Sequence, residues 1–549
     1  MTSSLSSCTI SFRDLPKHRP LFCDFLDSFS RVSQFYSADP RNESFFPQIA
    51  QTISRQTYPR EALMRILDAQ NREWGAGARV MENIEKLGEP TSLAVLTGQQ
   101  AGLFGGPLYT VYKAMGTVHL AHRLEKTLGR PVIPLFWVEG DDHDFAEVSS
   151  CRIIGKNNEV RTLTYVPSSS MPQVPIHRIS FESSISDLFL EMEAQLMETE
   201  FKGPVLAELR SCYKEGATFV QAFARWMAKL FEPFGLVLID PTQAPMKELA
   251  APVYVRLLEE SAGISQDLRE TSSRLETLGY TPQIGKGLEA THLFKTNGQR
   301  APIVREHDGF GTRGDLRIFS PSELAESIRE GPSNFSPSVV TRPIVQDSLF
   351  PTIAYVGGPG EISYFGQLRP LYERFRLPMP VVVPRPSLTL VEDRIGKILS
   401  HYELSLSDLF CGPEPLGTRI IKAQFPEEME CQFQVLEQGL QEALTSLEES
   451  VKTLDPVLVQ SLGSLRGRLL HQCGQFKEQV TRALKKKNEI QRQHVAKLCN
   501  HLAPLGQFQE RTLSAVHFLA KYGRWIGSFL FEKTDREPWK HHLLLLGEK

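Results

Sequence analysis

Four apolar runs, each followed within two residues by glycine or by a charged residue, constrain the fold of this chain more than any other feature of its sequence. The runs begin at Leu93, Val132, Leu236 and Thr352, and stretches with helical spacing separate them. A strand that is buried on both faces of a parallel sheet reads as a continuous apolar run, whereas a half-exposed strand alternates apolar and polar residues. Alternation of such strands with helices predicts an α/β fold with a parallel sheet.

A glycine-rich loop follows the first run. Four glycines occur between Gly98 and Gly106, and apolar residues at helical spacing resume at Tyr109. Glycine allows the backbone to approach a ligand closely, and the free N–H groups at a helix N-terminus attract anions. We therefore expect this loop and the nearby Lys113 to bind an anionic group.

A second loop of the same kind, Gly357–Glu361, follows the fourth run. Gly358, Gly360 and Ser363 approach the GxGxxG fingerprint of dinucleotide-binding folds, which needs an acidic residue at the end of the next strand to hold a ribose. Here that strand ends in Arg385, which argues against NAD and favours an anionic ligand group. Because the carboxyl ends of parallel strands share one edge of a sheet, both loops are expected to face one cleft.

The second run ends in an acidic cluster, Glu139–Asp144, which contains one histidine, His143. A histidine held among carboxylates suits general acid or base catalysis near neutral pH, and the carboxylates themselves suit a substrate ammonium or Mg²⁺. An acidic turn after a strand is also typical of a solvated loop or a helix cap. The adjacency of this cluster to the first glycine loop favours the catalytic interpretation.

The overall composition narrows the functional class. With 549 residues, 41% of them hydrophobic, the chain can bury more than one core. A formal net charge of −3 gives no global basic surface, so we expect no nucleic-acid partner. The eight cysteines include no CxxC pair, and no apolar run approaches the ~20 residues that would span a bilayer. The N-terminal sequence lacks the pattern of a signal peptide, so we expect a cytoplasmic protein without a membrane partner.

Two long helices with an apolar seam are predicted towards the end of the chain. Apolar residues recur three and four positions apart from Phe433 to Leu454 and again from Leu458 to Leu484, with Asp455 and Pro456 between them. This pattern predicts an antiparallel helical coiled coil, through which the chain is expected to form a homodimer.

The predicted domains are residues 1–150 with N-terminal helices and the first half of the core, 151–234 as a first insertion, 235–260 as a core strand and helix, 261–334 as a second insertion, 335–424 as the second half of the core, 425–510 as the coiled-coil hairpin, and 511–549 as a segment that packs on the core.

Five long motifs together resemble those of one enzyme family. They are TGQQAGLFGGPLYTVYKA, FWVEGDDHDFAEV, NFSPSVVTRPIVQDSLFPTIAYVGGPGEISYFGQL, MPVVVPRPSLTLVE and QERTLSAVHFLAKYG. In order and spacing across nearly the whole chain, they are similar to the motifs of the bacillithiol biosynthesis cysteine-adding enzymes. The resemblance implies a Rossmann-like parallel-sheet core with two inserted connecting-peptide modules and a C-terminal coiled coil that dimerises.

The same resemblance implies an activity. The protein would add L-cysteine to the amine of glucosaminyl malate as the last step in making bacillithiol. Amide formation from a free carboxylate is uphill in water, so an activating cosubstrate is required. ATP or ADP is expected in a nucleotide site, Mg²⁺ could accompany it, and the step that consumes the nucleotide is left open.

Two other functions stay open beside this one: an ATP-dependent amino-acid-activating ligase with a different amine acceptor, and a coiled-coil assembly protein with a vestigial nucleotide fold. In the favoured hypothesis His143 deprotonates the attacking amine. Asp142 and Asp144 orient His143, or they hold the substrate ammonium group or Mg²⁺. No metal site built by the protein alone is predicted. The predicted site residues are His143, Asp142 and Asp144 for catalysis and, for substrate or nucleotide binding, Gly98, Gln99, Gln100, Gly102, Gly106, Lys113, Arg342, Gly357, Gly358, Gly360, Glu361, Tyr364 and Arg385.

Overall fold

A computed structural model of the chain describes residues 8–168, 174–285, 287–307, 309–312, 318–423, 427–487, 489–534 and 538–547. These residues form two compact units. The larger unit comprises the described residues up to Leu390 together with Gln509–Leu544, and the smaller unit comprises those from Val391 to Phe508 and from Leu545 onward. The strands are β1 (Cys8–Ile10), β2 (Leu93–Gln100), β3 (Val132–Glu139), β4 (Ser150–Ile154), β5 (Val160–Thr164), β6 (Val237–Ile239), β7 (Ala290–Asn297), β8 (Gln299–Glu306), β9 (Gly309–Thr312), β10 (Phe335–Pro337), β11 (Thr352–Gly357), β12 (Val381–Pro384), β13 (Ser387–Glu392) and β14 (His541–Leu546).

Helices separate most of the strands. Within the described ranges, no helix is long and apolar enough to cross a membrane. The helices are α1 (Pro20–Asp27), α2 (Phe46–Ile53), α3 (Arg60–Glu73), α4 (Ala78–Leu87), α5 (Leu108–Leu128), α6 (Phe145–Val148), α7 (Ile185–Gln195), α8 (Lys202–Cys212), α9 (Phe219–Phe231), α10 (Ala244–Glu259), α11 (Ser261–Thr277), α12 (Pro321–Glu330), α13 (Arg342–Leu349), α14 (Pro359–Phe365), α15 (Arg369–Phe375), α16 (Asp393–His401), α17 (Pro413–Ala423), α18 (Glu427–Leu454), α19 (Leu458–Lys487), α20 (Glu489–Leu502), α21 (Gln509–Thr512), α22 (Ala515–Tyr522) and α23 (Trp525–Thr534).

An all-parallel sheet of five strands, in the order β12-β11-β2-β3-β6, forms the centre of the larger unit. It confirms the predicted α/β fold with a parallel-sheet core. After β2 the chain adds β3 and β6 on one side, and it later returns to add β11 and β12 on the other side. The sheet therefore has a topological switch point between β2 and β11, and open α/β sheets bind their ligands at the carboxyl ends of the strands at such a point.

Alternate residues of the central strand β2 pack into two separate hydrophobic clusters. Leu93 and Val95 belong to one cluster, together with Leu124 of α5. Ala94 and Leu96 belong to the other cluster. Because both faces of the sheet are covered, every side chain from Leu93 to Leu96 is buried, and the strand reads as a continuous apolar run instead of an alternating one.

Two antiparallel elements interrupt the parallel sheet along the chain. Strands β4 and β5 form a two-stranded ribbon, and a four-stranded sheet has the order β10-β7-β8-β9. The turn between β7 and β8 lies at Gly298, whose φ of +77° is a conformation that favours glycine. Residues 297 and 298 are Asn-Gly, a pair typical of a β-hairpin turn, so this hairpin is visible in the sequence.

The smaller unit contains the long helices α18 and α19. The rings of Phe433 and Phe476 have centroids 6.0 Å apart, and Arg466 pairs with Glu448 at 3.5 Å. Contacts that advance along one helix retreat along the other, so the pair is antiparallel, as predicted. The apolar seam is only partly covered within one chain, since Leu447 is 50% exposed and Phe476 is 56% exposed.

Candidate functional site

A cleft of about 490 Å³ lies at the topological switch point of the parallel sheet. Its walls come from the ends of strands β2, β3 and β11, from the starts of helices α5, α13 and α14, and from the four-stranded antiparallel sheet. This volume falls in the range of roughly 300–1,000 Å³ that is typical of small-molecule sites. The lining residues include Gly98, Gln99, Gln100, Tyr109, Trp137, Glu139, Asp142, Phe294, Arg300, Ser338, Arg342, Tyr355, Gly358, Gly360, Glu361, Tyr364, Arg385 and Arg511.

A buried ion pair links the two glycine loops. Lys113 of α5 pairs with Glu361 of α14, and its Nζ also donates to the Gly98 carbonyl at 2.8 Å and to Gln99 Oε1 at 3.0 Å. Burial lowers the pKa of Lys113, and Glu361 opposes this effect. Burial alone would raise the pKa of Glu361, but the Lys113 charge and the Gly358 N–H hold it below its ordinary value. The charge of Lys113 is thus balanced within the protein.

Arg342, the first residue of α13, is a buried guanidinium with 8% exposure. It donates to Gln346 Oε1 at 2.9 Å, to the Tyr355 hydroxyl at 3.3 Å and to the Tyr364 hydroxyl at 2.9 Å. Among the described residues, no carboxylate pairs with it. Burial alone would lower the pKa of Arg342, but its tyrosine neighbours and the more distant carboxylates of Glu139 and Glu361 raise it. An anionic ligand in the cleft would add a direct ionic partner.

Arg385, by contrast, has a protein counter-ion. Its Nη2 donates to Glu510 Oε1 at 2.6 Å, and both side chains are buried. The backbone N–H of Leu388 donates to the other Glu510 oxygen at 2.9 Å. Burial alone would raise the pKa of Glu510, but the Arg385 charge holds it below its ordinary value. Arg385 therefore lines the cleft as a largely neutralised group.

The acidic cluster at the end of β3 divides between structure and cleft. Asp141 is buried and its Oδ2 lies 2.6 Å from the Nζ of Lys247 on α10, which also donates to the Phe335 carbonyl at 3.0 Å. This pair fastens the end of β3 to α10 and β10. Glu139 instead lines the cleft, and burial, followed by the charge of Asp141, raises its pKa. A perturbed carboxyl group in a cleft is typical of acid–base catalysts.

Only one of the three residues predicted to be catalytic lines the cleft. Asp142 lines the cleft, and the Nδ1 of His143 lies 3.5 Å from Asp142 Oδ1 and 3.4 Å from Arg300 Nη1. A guanidinium only donates hydrogen bonds and needs a free Nδ1, whereas a carboxylate only accepts them and needs a proton on Nδ1, so the two contacts favour opposite tautomers of the ring. Asp144 caps α6 by accepting a hydrogen bond from the Glu147 N–H at 3.3 Å, as in the helix-cap interpretation.

Contacts within the chain shape the first glycine loop. Gly105 and Gly106 have φ values of +87° and +70°, in the region that favours glycine. A Cβ on Gly105 would lie 2.9 Å from the Trp226 ring, and a Cβ on Gly102 would lie 2.9 Å from the Gly106 Cα. These glycines are therefore required by a tight, closely packed turn, whether or not a ligand also approaches them.

The structure brings most of the predicted residues to two cavities that share wall residues. Gly102 and Gly106 line the smaller cavity, which Gln99 and Gln100 also border. Of the predicted residues, His143, Asp144, Lys113 and Gly357 line neither cavity. Those that line the cleft are Gly98, Gln99, Gln100, Asp142, Arg342, Gly358, Gly360, Glu361, Tyr364 and Arg385.

Sequence reasoning missed several cleft residues that come from distant segments. Arg300 lies just after the hairpin turn at Gly298, and its guanidinium stacks 3.8 Å from the Phe294 ring centroid. No local pattern distinguishes this arginine from others in a hairpin. Arg511 lies within the late QERT motif, which was a usable signal. Glu139 belonged to the recognised acidic cluster, but its exposure to the cleft depends on the fold.

Comparison with known proteins gives matches over nearly the whole chain. Residues 8–386 match the family described as bacillithiol biosynthesis BshC, N-terminal Rossmann-like domain, and residues 388–546 match the BshC C-terminal coiled-coil domain. Relatives named "Putative cysteine ligase BshC" include one from Salinibacter ruber, 35% identical over 91% of this chain and 92% of the relative. Another, from Chlorobaculum tepidum, is 34% identical over 92% of each chain. A third, from Symbiobacterium thermophilum, is 34% identical over 95% of this chain and 97% of the relative.

Proposed function

The chain belongs to the bacillithiol biosynthesis BshC family, and on that premise we propose that it is a ligase that joins L-cysteine to the amine of glucosaminyl malate, the last step of bacillithiol biosynthesis. The names of its relatives support the cysteine ligase class. The cleft supports an acceptor that carries carboxylates. The observation that carries this choice is the buried charge of Arg342, which has no carboxylate partner in the described part of the chain.

Two arginines would bind the malate carboxylates. Arg342 offers a planar guanidinium fork, which suits bidentate carboxylate recognition. Arg300 is held in one orientation, because it stacks on Phe294 and its Nη2 donates to the Pro337 carbonyl at 3.1 Å. The side-chain amide of Gln99 would then contact sugar hydroxyls.

The nucleotide would occupy the second glycine loop. A Cβ on Gly360 would have no described atom within 4 Å, so a ligand can reach the backbone there, and Gly358 and Gly360 would hold its phosphates. Bound ATP supplies the leaving group that makes the cysteine carboxyl carbon reactive. Within the described residues, no group of three His, Cys, Asp or Glu side chains is placed to hold a metal ion. Mg²⁺ in nucleotide sites commonly uses one or two carboxylates plus phosphate oxygens, so it would enter with the nucleotide.

Glu139 is our choice for the group that accepts the proton of the attacking amine. It lines the cleft, its pKa is raised by burial, and hydrogen bonds from Trp137 Nε1 at 3.3 Å and the Asp141 N–H at 3.0 Å fix its two oxygens. The prediction that His143 is the base stands beside this one. It requires that the ring nitrogen facing the amine is free of its proton.

The homodimer and the cellular compartment complete the proposal. The half-exposed seam of α18 and α19, with Leu447 and Phe476 on it, supports a second copy as the partner that covers it. All eight cysteines are free thiols, which supports a reducing compartment such as the cytoplasm.

An assay of the full chain with L-cysteine, glucosaminyl malate, ATP and Mg²⁺, read as bacillithiol by mass spectrometry, tests the function. We expect Arg342→Gln to raise the KM for glucosaminyl malate at least about tenfold, the loss of one charge-assisted contact. The exposed Arg329, paired with Glu326, provides the control variant Arg329→Gln, which should behave as wild type. Equal rates with unrelated amines would favour a different ligase. No product and no binding of any substrate would favour an assembly protein.

A further inference from the structure

A second cavity of about 190 Å³ shares four wall residues, Gln99, Gln100, Tyr109 and Arg511, with the cleft. The first glycine loop, α6, β4 and residues 512–514 supply its other walls. Its volume lies below the roughly 300 Å³ at which sites for drug-sized ligands begin. The cavity is therefore suited to a small ligand that lies next to the contents of the cleft.

Two arginines that form no ion pair among the described residues line this cavity. Arg152 lies on β4, and its buried Nε has no hydrogen-bond partner among the described residues. The guanidinium of Arg511 contacts the ring of Tyr109, 5.9 Å from its centroid. Neither arginine pairs with a carboxylate in the part of the chain that the structure describes, whereas Arg161 on the neighbouring strand β5 pairs with Glu159 at 2.8 Å. Two such charges beside one small space predict an anionic ligand group.

A carboxylate and apolar surface complete the walls. Glu147 Oε2 accepts a hydrogen bond from Gln100 Nε2 at 2.7 Å, and the remaining lone pairs of this carboxylate can accept from an ammonium group. Val148 and Pro107 add apolar surface. Cationic, anionic and apolar groups around one small cavity match the zwitterion of an α-amino acid with a short side chain.

Cys151 also lines the cavity, and the protonation state of its thiol decides whether the amino acid binds reversibly or covalently. Burial raises the pKa of this thiol to about 12. A thiol that stays protonated is a poor nucleophile. The chemistry therefore favours reversible binding of the amino acid over a thioester with Cys151.

We propose that this cavity is the amino-acid site of the ligase, with the α-carboxylate of L-cysteine on Arg152 and Arg511 and its ammonium group on Glu147. The identity of the amino acid rests on the proposed function. Because Arg511 lines both cavities, the carboxyl carbon lies at the wall shared with the cleft. In the activating step, a carboxylate oxygen would bond to a phosphorus of ATP while a P–O bond of the nucleotide breaks and releases ADP or pyrophosphate. The acceptor nitrogen would then bond to the carboxyl carbon, the C–O bond to the attached phosphoryl group would break, and the amine proton would pass to the base in the cleft.

Isothermal titration of L-cysteine into the full chain, under reducing conditions, tests the site. Losing one charge-assisted hydrogen bond corresponds to about a tenfold to hundredfold change in Kd, and we expect Arg152→Gln to weaken cysteine binding by that factor. Arg161→Gln, on the same ribbon, should leave the Kd unchanged. Cysteamine, which lacks the carboxylate, should bind wild type and Arg152→Gln equally weakly.

The outcomes separate this site from the proposed function. Equal cysteine affinity in wild type and Arg152→Gln would overturn the site, and continued bacillithiol formation by that variant would leave the function standing. Binding of another small amino acid, but not cysteine, through Arg152 would support the site and refute cysteine as the substrate. Binding of inorganic phosphate but of no amino acid would overturn the proposal. If Arg152→Gln does not fold, Arg511→Gln carries the same expectation, because the Arg511 side chain is exposed.

Discussion

Removing the carboxylate of Asp141 should strongly destabilise the larger unit. In Asp141→Asn, the Nζ of Lys247 loses the charged partner that lies 2.6 Å away. Water cannot replace this partner, because the Lys247 side chain is 0% exposed. Leaving one member of a buried pair without its partner typically costs about 3–5 kcal/mol. The double variant with Lys247→Met removes the buried charge together with its partner, so we expect it to be more stable than Asp141→Asn alone.

Urea unfolding followed by tryptophan fluorescence measures this effect selectively, because all five tryptophans lie in the larger unit. The unfolding free energy comes from its linear dependence on urea concentration. Asp68→Asn is the matched control, since it breaks an exposed pair with Arg72 on α3 and such pairs contribute little. The reporters are Trp74, Trp137, Trp226, Trp525 and Trp539.

The penalty should also depend on pH with a definite sign. In wild type, burial alone would lower the pKa of Lys247, but Asp141 raises it above its ordinary value. In Asp141→Asn, burial is opposed only by the weaker effects of Tyr254 and Glu139, so we expect the pKa to fall below the unfolded value of about 10.4. The folded variant then binds this proton more weakly than the unfolded chain, so its penalty is largest at neutral pH and shrinks as pH rises towards 10. A penalty that is independent of pH, or a double variant whose loss equals the sum of both single losses, would refute the reasoning.

Other perturbations test the base, a buried acid and the helical hairpin. Glu139→Gln should lower kcat by about 10²–10⁴-fold. A larger loss of kcat in His143→Ala, together with a nearly unchanged kcat in Glu139→Gln, would show that His143 is the base. Burial raises the pKa of Asp240 from 3.8 to about 6, so the folded state binds this proton more tightly and stability falls as pH rises through that window. In urea titrations Asp240→Asn should therefore exceed wild type in stability at pH 8 and match it at pH 4, and an equal difference at both values would contradict this cause. Replacing Leu447 and Phe476 by glutamine should convert the proposed dimer to a monomer in light scattering, and a dimer mass that stays unchanged would exclude this seam as the interface.

The parallel core was predictable because burial on both faces leaves a direct trace in sequence. Leu93–Leu96 and Val132–Val138 are apolar at every position, and both proved to be central strands. The four-stranded antiparallel sheet left a weaker trace. Its hairpin was visible at Gly298, but β10 joins β7 through residues about forty positions apart, such as Phe335 and Lys295. Pairing between strands that far apart in the sequence depends on how the intervening helices pack, and no local sequence pattern predicts that packing.

The convergence of the two glycine loops was also predictable, since parallel strands place their carboxyl ends at one edge. The roles of the glycines were not. Gly102 and Gly105 were expected to make room for a ligand, yet the atoms nearest to them belong to Gly106 and Trp226. Trp226 is more than a hundred residues away along the chain, so only the folded structure shows that the turn itself requires these glycines.

Charge compensation explains which part of the site escaped the sequence and what that part does. Arg385 was predicted from the sequence to bind a ligand, but Glu510 neutralises it from more than a hundred positions away, as Asp141 neutralises Lys247. Arg342, in contrast, donates its hydrogen bonds to neutral groups in the part of the chain described, and Glu139 and Glu361 act on it only from beyond ion-pair distance. A buried pair satisfied within the protein contributes to the fold, whereas a buried charge left unsatisfied gains its stabilisation when an anion binds. The sign of the charge on the ligand therefore follows from the side-chain charges that the fold leaves without a direct ionic partner, and these favour a carboxylate-bearing substrate.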